Sequence, residues 1–260
     1  MPVDAGESRL AVLAFHSISS APGPTSIDAA TFRMQLDTLV ESGFASMSCN
    51  DFIVWHNGGA QDAASRVLIT FDDGFADFAT AAYPILREHG FGAIVFVPTG
   101  KLGQREDWRG ANASPRPLMS WSTVIELARA GIEFGGHGVT HADLTRLSPE
   151  RRRDEIERSA HDLADRVGNR PIAFAPPYGH VNPSVLEDLA RSYEVAFGTR
   201  FDRAQEKHDR FDVPRIEMHY FRAARHWSAF LRGERSYFLA RRALRSVKNA
   251  GVSAARSVFD

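Results

Sequence analysis

Short apolar runs recur along the chain, most of them rich in β-branched or aromatic residues. LAVLAF (10–15), VLITF (67–71), GAIVFV (92–97), IEFGG (132–136), IAFA (172–175) and EVAFG (194–198) each predict a buried strand. Between them the apolar positions change to helical spacing. Phe32, Leu36, Leu39 and Val40 share one face and stop at Gly43. Ser148 and Pro149 supply an N-cap and a first helical residue for a segment whose apolar face is Ile156, Ala160, Leu163 and Val167, closed by Gly168. Asn182 and Pro183 repeat the device ahead of Val185, Leu186 and Leu189. Strand and helix in regular alternation imply parallel strands joined by crossover helices, hence an α/β sheet or barrel. Residues 19–26 and 103–117 read as surface loops.

In such folds chemistry collects at the C-terminal ends of the strands. Asp72 and Asp73 follow Phe71, and His16 follows Phe15. Two adjacent carboxylates repel each other, and taking them out of water costs several kcal/mol unless a cation or hydrogen bonds compensate. Another apolar run leads into GGHGVTHADL (135–144), where His137 and His141 stand four apart, a spacing that lets two imidazoles converge on one ion. Read alone, either signal is ambiguous: the histidines fit a surface or core position, and strand-end carboxylates often cap the next helix. Joined, one aspartate and two histidines make a three-ligand site with positions left for water and substrate, the mark of a catalytic metal. The remaining aspartate can then act as a base, taking the proton of a water whose pKa a dication lowers toward about 7. Adjacent strand residues point to opposite sides, so both carboxylates can serve one site only if the chain turns here, which Gly74 permits.

Composition bounds the setting. The 260 residues suffice for one large domain, 43% hydrophobic and 24% charged, and a net charge of −1 predicts no overall attraction to nucleic acid. Cys49 is the only cysteine, which excludes an intramolecular disulfide and a thiolate metal cage. The opening MPVDAGESRLAVLAF lacks a basic region followed by an apolar stretch, and no segment approaches the ~18 apolar residues of a membrane span. A cytoplasmic location is therefore expected, with peripheral contact at the inner membrane face. That contact comes from an uneven charge distribution. Arg222 to Arg256 holds nine Lys or Arg and one acid, Glu234, a net +8 that leaves about −9 for the rest. Its aromatic and aliphatic residues recur at roughly helical spacing, as in a basic amphipathic helix lying on an anionic membrane. A helix packed on the acidic body of its own domain fits the pattern equally.

TFDDG (70–74), HGVTH (137–141) and FAPPYG (174–179), in that order, resemble the first three motifs of the polysaccharide deacetylase family, carbohydrate esterase family four. The likeness runs from about residue 9 to about 220 and is continuous over 118–150. It implies a distorted barrel of strands and helices over residues 1–220, followed by a basic helical extension over 221–260. It also implies removal of N-acetyl groups from a sugar, an oligosaccharide or a lipid-linked glycan. By the resemblance Asp72 is the base, and Asp73, His137 and His141 bind a divalent ion, usually Zn²⁺, although the donor set also accepts Co²⁺, Ni²⁺ or Fe²⁺. The backbone N–H of Tyr178 helps hold the oxyanion, and a histidine protonates the departing amine. His16, in LAFHSIS, is similar to the N-terminal segment of a permuted subset and is preferred to His219, in IEMHYF.

Two departures stand out. The third motif usually opens with an arginine, and here the position is Ala175; Arg215 is expected to approach Asp72 from another strand and supply the charge. Gly138 replaces a common Ser or Thr, with the expected loss of one hydrogen bond and little else. His56, His89, His161, His180, His208 and His226 read as solvated, Trp121 as a helix-start packing residue and Trp108 as a candidate for sugar stacking. Hydrolysis of a non-sugar amide on the same fold and a non-catalytic glycan-binding module are the competing functions.

Overall fold

The computed structural model describes residues 9–59, 63–108, 114–206 and 208–256, with side chains as far as Ser246. Residues 1–8, on which the reading of the N-terminus partly rests, residues 109–113 of the long loop and the last part of the basic tail lie outside the described residues.

Seven strands build the core: β1 (Arg9–Phe15), β2 (Arg66–Phe71), β3 (Ile94–Val97), β4 (Glu133–Gly136), β5 (Ala173–Phe174), β6 (Val195–Phe201) and β7 (Val213–Glu217). Each pairs in parallel with the next, and β7 returns to β1 with Leu13 beside Ile216, which closes the sheet into a barrel. The closure is irregular. β5 has only two residues, and the β6–β7 register shifts between Val213 and Arg215. Around the barrel run α1 (Ala29–Glu41), α2 (Cys49–His56), α3 (Tyr83–Glu88), α4 (Trp121–Arg129), α5 (Pro149–Val167), α6 (Pro183–Ser192), α7 (Ala224–Leu231) and α8 (Ser236–Arg256). The predicted caps form: Ser148 accepts from Arg151 N–H, Asn182 from Val185 N–H, and Gly168 ends α5 at φ 89°. β7 is absent from the strands predicted above because Pro214, Arg215 and Glu217 interrupt its apolar pattern.

Strand alternation divides the apolar residues into two sets. Leu10, Val12, Leu68, Ile94, Phe96, Val195, Phe197 and Val213 point into the barrel, where Phe52 and Trp55 of α2 close the N-terminal mouth. Leu13, Phe15, Ile69, Phe71, Val95 and Val97 point outward under the helices, against Phe32, Leu36 and Leu39 of α1 and Leu163 of α5. Phe221, Trp227, Phe230 and Phe238 join this outer cluster, and the Trp227 indole N–H donates to Gln35 O at 3.0 Å. Among the described residues beyond 220, helices α7 and α8 dominate, and Phe221, Trp227, Phe230 and Phe238 are packed into the core. No described helix is long and apolar enough to cross a membrane.

Candidate active site

The inward positions of β2 run Leu68, Thr70, Asp72, so alternation alone carries Asp72 into the upper end of the barrel. Asp73 would point outward if the strand continued. Instead its backbone is left-handed, with φ 71°, followed by Gly74 at φ 68°. The turn therefore begins on the second aspartate itself. A Cβ at Gly74 would meet Val97 Cγ1 at 2.9 Å, so this glycine answers both to conformation and to space. Both carboxylates end up buried, at 5% exposure each.

Their partners differ. Asp72 receives Arg215, whose Nη1 and Nη2 donate to Oδ1 and Oδ2, both at 2.7 Å. Arg215 also donates to Gly198 O at 2.8 Å and to Thr70 Oγ1 at 3.1 Å. Burial would push the Asp72 carboxyl up, but the Arg215 guanidinium outweighs it and holds the group below its ordinary range. Arg215 thus stands beside Asp72 where the third motif offers only Ala175, itself buried among the interior residues.

Asp73 faces imidazoles. Its Oδ1 lies 3.2 Å from His137 Nε2 and 3.1 Å from His141 Nε2. The other ring nitrogen of His137, Nδ1, lies 2.5 Å from Ala175 O. A carbonyl can only accept, so Nδ1 carries a proton, and Nε2 is the ring atom left to face the carboxylate. Asp73 and the two Nε2 atoms offer three donor atoms, all within 4.8 Å of one another, a set that suits a divalent ion. Burial lowers the pKa of His141, which favours the neutral ring a metal requires. Burial would also push Asp73 up; its hydrogen-bond contacts with His137 and His141 hold it well below the usual carboxylate range.

The loop carrying the histidines is held by Glu155 of α5, a residue no sequence motif singles out. Its carboxylate accepts Val139 N–H at 2.7 Å, Thr140 N–H at 2.9 Å and Thr140 Oγ1–H at 2.6 Å. Gly138 matters more than expected. Its φ is 73°, and a Cβ there would stand 2.8 Å from Glu155 Oε2, so a side chain would strain the backbone and crowd the clamp. His141 is itself left-handed at φ 62°, as is Tyr178.

A cleft of about 420 Å³ opens over these groups, lined among others by His16, Trp108, Arg116, Tyr178 and Glu217. His16 Nε2 lies 3.8 Å from Asp72 Oδ2. His219 does not line the cleft; its Nδ1 faces Ser26 O at 3.4 Å. Trp108 stacks flat on His141, centroids 3.9 Å apart, so that face is taken by the imidazole and not open to a sugar. The Tyr178 ring meets His141 edge-on at 4.8 Å and is 46% exposed. Two histidines read as solvated are not: His56 is buried against Phe52 and Trp55, and the largely covered His89 bonds Asp37 at 2.7 Å; the partly exposed His180 bonds Asp143 at 2.8 Å. Trp121 opens α4 with Arg166 stacked over it at 4.9 Å, a packing role.

A parallel α/β barrel with three converging metal donors and an ionised carboxylate at its C-terminal mouth is equipped for hydrolytic chemistry. The polysaccharide deacetylase family model matches residues 59–197, and the chain belongs to that family. Over 212 residues it is 22% identical to YxkH of Bacillus subtilis (strain 168), covering 81% of this chain and 72% of that protein. Over 206 residues it is 25% identical to the poly-beta-1,6-N-acetyl-D-glucosamine N-deacetylase of Escherichia coli (strain K12), covering 66% of this chain but only 30% of that longer protein. Among solved structures, the Streptococcus pyogenes deacetylase PplD in complex with acetate superposes with a TM-score of 0.71 at 25% identity, covering 81% of this chain and 92% of that one.

Proposed function

We propose that the protein is a metal-dependent hydrolase that removes N-acetyl groups from an N-acetylated sugar, oligosaccharide or lipid-linked glycan. The observation that carries this reading is the unequal pairing of two adjacent buried aspartates, Asp73 with the imidazoles and Asp72 with Arg215. Asp73, His137 and His141 would hold the ion, Zn²⁺ by preference, with Co²⁺, Ni²⁺ or Fe²⁺ compatible with the same donors. When bound, the ion supplies Lewis acidity, lowering the pKa of water and polarising the amide carbonyl.

The remaining steps belong to the chain. Asp72 accepts the proton of the attacking water. Its carboxylate has four lone-pair sites, of which the Arg215 fork takes two, so acceptor capacity remains. Arg215 keeps the base ionised and fixes its orientation. The Tyr178 backbone N–H helps stabilise the developing oxyanion. His16, beside the base, delivers a proton to the amine nitrogen, which leaves poorly without one. The test is acetate release from N-acetylglucosamine oligomers by zinc-loaded protein, its loss on chelation and its return on readdition of metal. A protein that binds zinc yet releases no acetate is a glycan-binding module, and one that opens only non-sugar amides has another substrate class; either result overturns the proposal.

We further propose that residues 222–256 contact an anionic membrane surface peripherally. What favours it is the net +8 carried by this stretch together with two exposed leucines of α8, Leu239 and Leu244, at 44% and 64% exposure. Co-sedimentation with anionic but not neutral liposomes at low salt is the expected result; no sedimentation with either rejects the contact.

A further inference from the structure

Beside the catalytic cleft lies a second, larger groove of about 910 Å³, and Gly179, Thr199 and Arg245 line both. The two spaces therefore adjoin along a rim to which α8 contributes Arg245. Among the described residues three arginines line the catalytic cleft, and two are engaged by carboxylates. Arg215 is committed to Asp72. Arg116 donates to both oxygens of Glu106 at 2.7 and 2.9 Å and stacks 3.8 Å over the ring of Phe75. Among the described residues Arg245 makes one hydrogen bond, from Nη2 to Thr199 O at 3.0 Å, lies 6.0 Å from the centre of the Tyr220 ring and pairs with no carboxylate. A guanidinium carries five N–H donors, so most of its capacity is left for whatever occupies the grooves.

Its position is anchored. Tyr237, Phe238, Arg241, Arg242 and Arg245 recur at helical spacing on one side of α8. The Tyr237 hydroxyl donates to Tyr220 O at 2.6 Å, Phe238 is buried, and Arg242 pairs with Asp202 at 2.7 Å. The adjoining groove adds Arg200, whose Nη2 donates to the Asp212 backbone carbonyl at 3.2 Å, and three aspartates that already have partners there: Asp202 with Arg242, Asp143 with His180, and Asp212 beside Arg200. An uncharged glycan would gain little from an unpaired guanidinium, whereas a phosphate or carboxylate matches its planar fork with two parallel bonds.

We infer that the substrate of this site is an N-acetylated glycan bearing an oxyanion, a phosphate ester or a carboxylate, next to the acetamido group that is cleaved, with Arg245 as the residue that selects it. The inference rests on the deacetylase reading above. It is tested by measuring kcat/KM for acetate release by the metal-loaded wild type, Arg245→Ala and Arg245→Lys on three substrates. These are the neutral N-acetylglucosamine trisaccharide, N-acetylglucosamine 1-phosphate, and a disaccharide of N-acetylglucosamine and glucuronate. The wild type should prefer one anionic substrate, and the arm showing the preference identifies the anion. Arg245→Ala should cut the anionic-to-neutral ratio about tenfold, mainly through KM, as expected for losing a charge-assisted bond, and Arg245→Lys should retain part of it. The ratio is internal to each preparation and does not depend on the folded fraction. An unchanged ratio, or a wild type that prefers the neutral sugar, overturns the inference and leaves the deacetylase reading intact. No acetate from any of the three overturns both.

Discussion

The two ends of the barrel are made from the same strands and the same alternation, yet they have opposite chemistry. At the N-terminal end the inward positions are Leu10, Val12, Leu68, Ile94 and Phe197, each at most 2% exposed, with Phe52 and Trp55 beneath them. This end stabilises the fold by removing apolar surface from water, at about 25 cal/mol per Å². One or two residues further along, the inward positions become Thr70, Asp72 and Arg215, with Asp73, His137 and His141 above them, all buried as well. The three non-glycine residues with left-handed backbone among those described, Asp73, His141 and Tyr178, all lie at this end. Such conformations cost on the order of 1–3 kcal/mol each. One end supplies stability and the other consumes it, and a short stretch of strand separates them.

That contrast can be broken from either side. The largest effect is expected from Asp72→Asn, which keeps the shape of the base and removes its proton affinity: kcat should fall by about 10²–10⁴, read as acetate release, while circular dichroism stays native. Wild-type activity in this variant would remove Asp72 from the chemistry. Arg215→Met comes next. Leaving one member of a buried ion pair uncompensated should destabilise the fold by about 3–5 kcal/mol in urea titrations. The pH profile gives the sharper readout. Asp72 is held below the ordinary carboxylate range, so its pairing contributes stability above the unfolded pKa that is lost as pH falls through the folded one. Without Arg215 burial dominates, the Asp72 pKa rises, and the acidic limb of kcat/KM should move to higher pH; a fixed limb would mean that Arg215 does not tune the base.

Phe197→Ala tests the other end. Phe197 packs against Phe52 and Phe96 with centroids 5.3 and 5.8 Å away. Its truncation should cost about 3–5 kcal/mol of stability, with kcat well below the melting temperature close to wild type. A kcat that collapsed along with stability would show that the ends are not separable.

The apolar end was the more legible in sequence. Six strands announced themselves because both of their faces are buried, and a run such as VLITF looks the same whichever helix covers it. β7 was hidden because its inward residues above Val213 are Arg215 and Glu217, so the feature that places it in the site also erased its apolar signature. The donors Asp73, His137 and His141 could be read from residue type and spacing, since metal ligands tolerate few substitutes. Glu155 could not. It is one acid among many on α5, and what sets it apart is the backbone N–H groups of Val139 and Thr140, which no sequence pattern encodes. The same holds for His56, buried by the packing of α2 and not by its own neighbours, and for Trp108, whose partner proved to be the ring of His141.

The smallest effect is expected from Tyr193→Phe, which probes how far the charged end extends. Gly136, the last residue of β4 before His137, lies so close to this phenol that a Cβ there would be 2.2 Å from its hydroxyl oxygen. The Tyr193 and Ser159 hydroxyls lie 2.7 Å apart, and both also face Ile156 O, Ser159 at 2.8 Å and Tyr193 at 3.4 Å. Burial pushes the phenol far above its ordinary pKa, and the group stays neutral at every pH at which the protein would be assayed. Removing the hydroxyl therefore deletes one neutral hydrogen bond and leaves Ser159 still bonded, a loss of about 1 kcal/mol by denaturant titration. The pH profile should not move. If instead kcat fell sharply at unchanged stability, the phenol would belong to the apparatus that positions His137, and the boundary between the two ends would lie one residue lower on β4 than the burial of charge alone indicates.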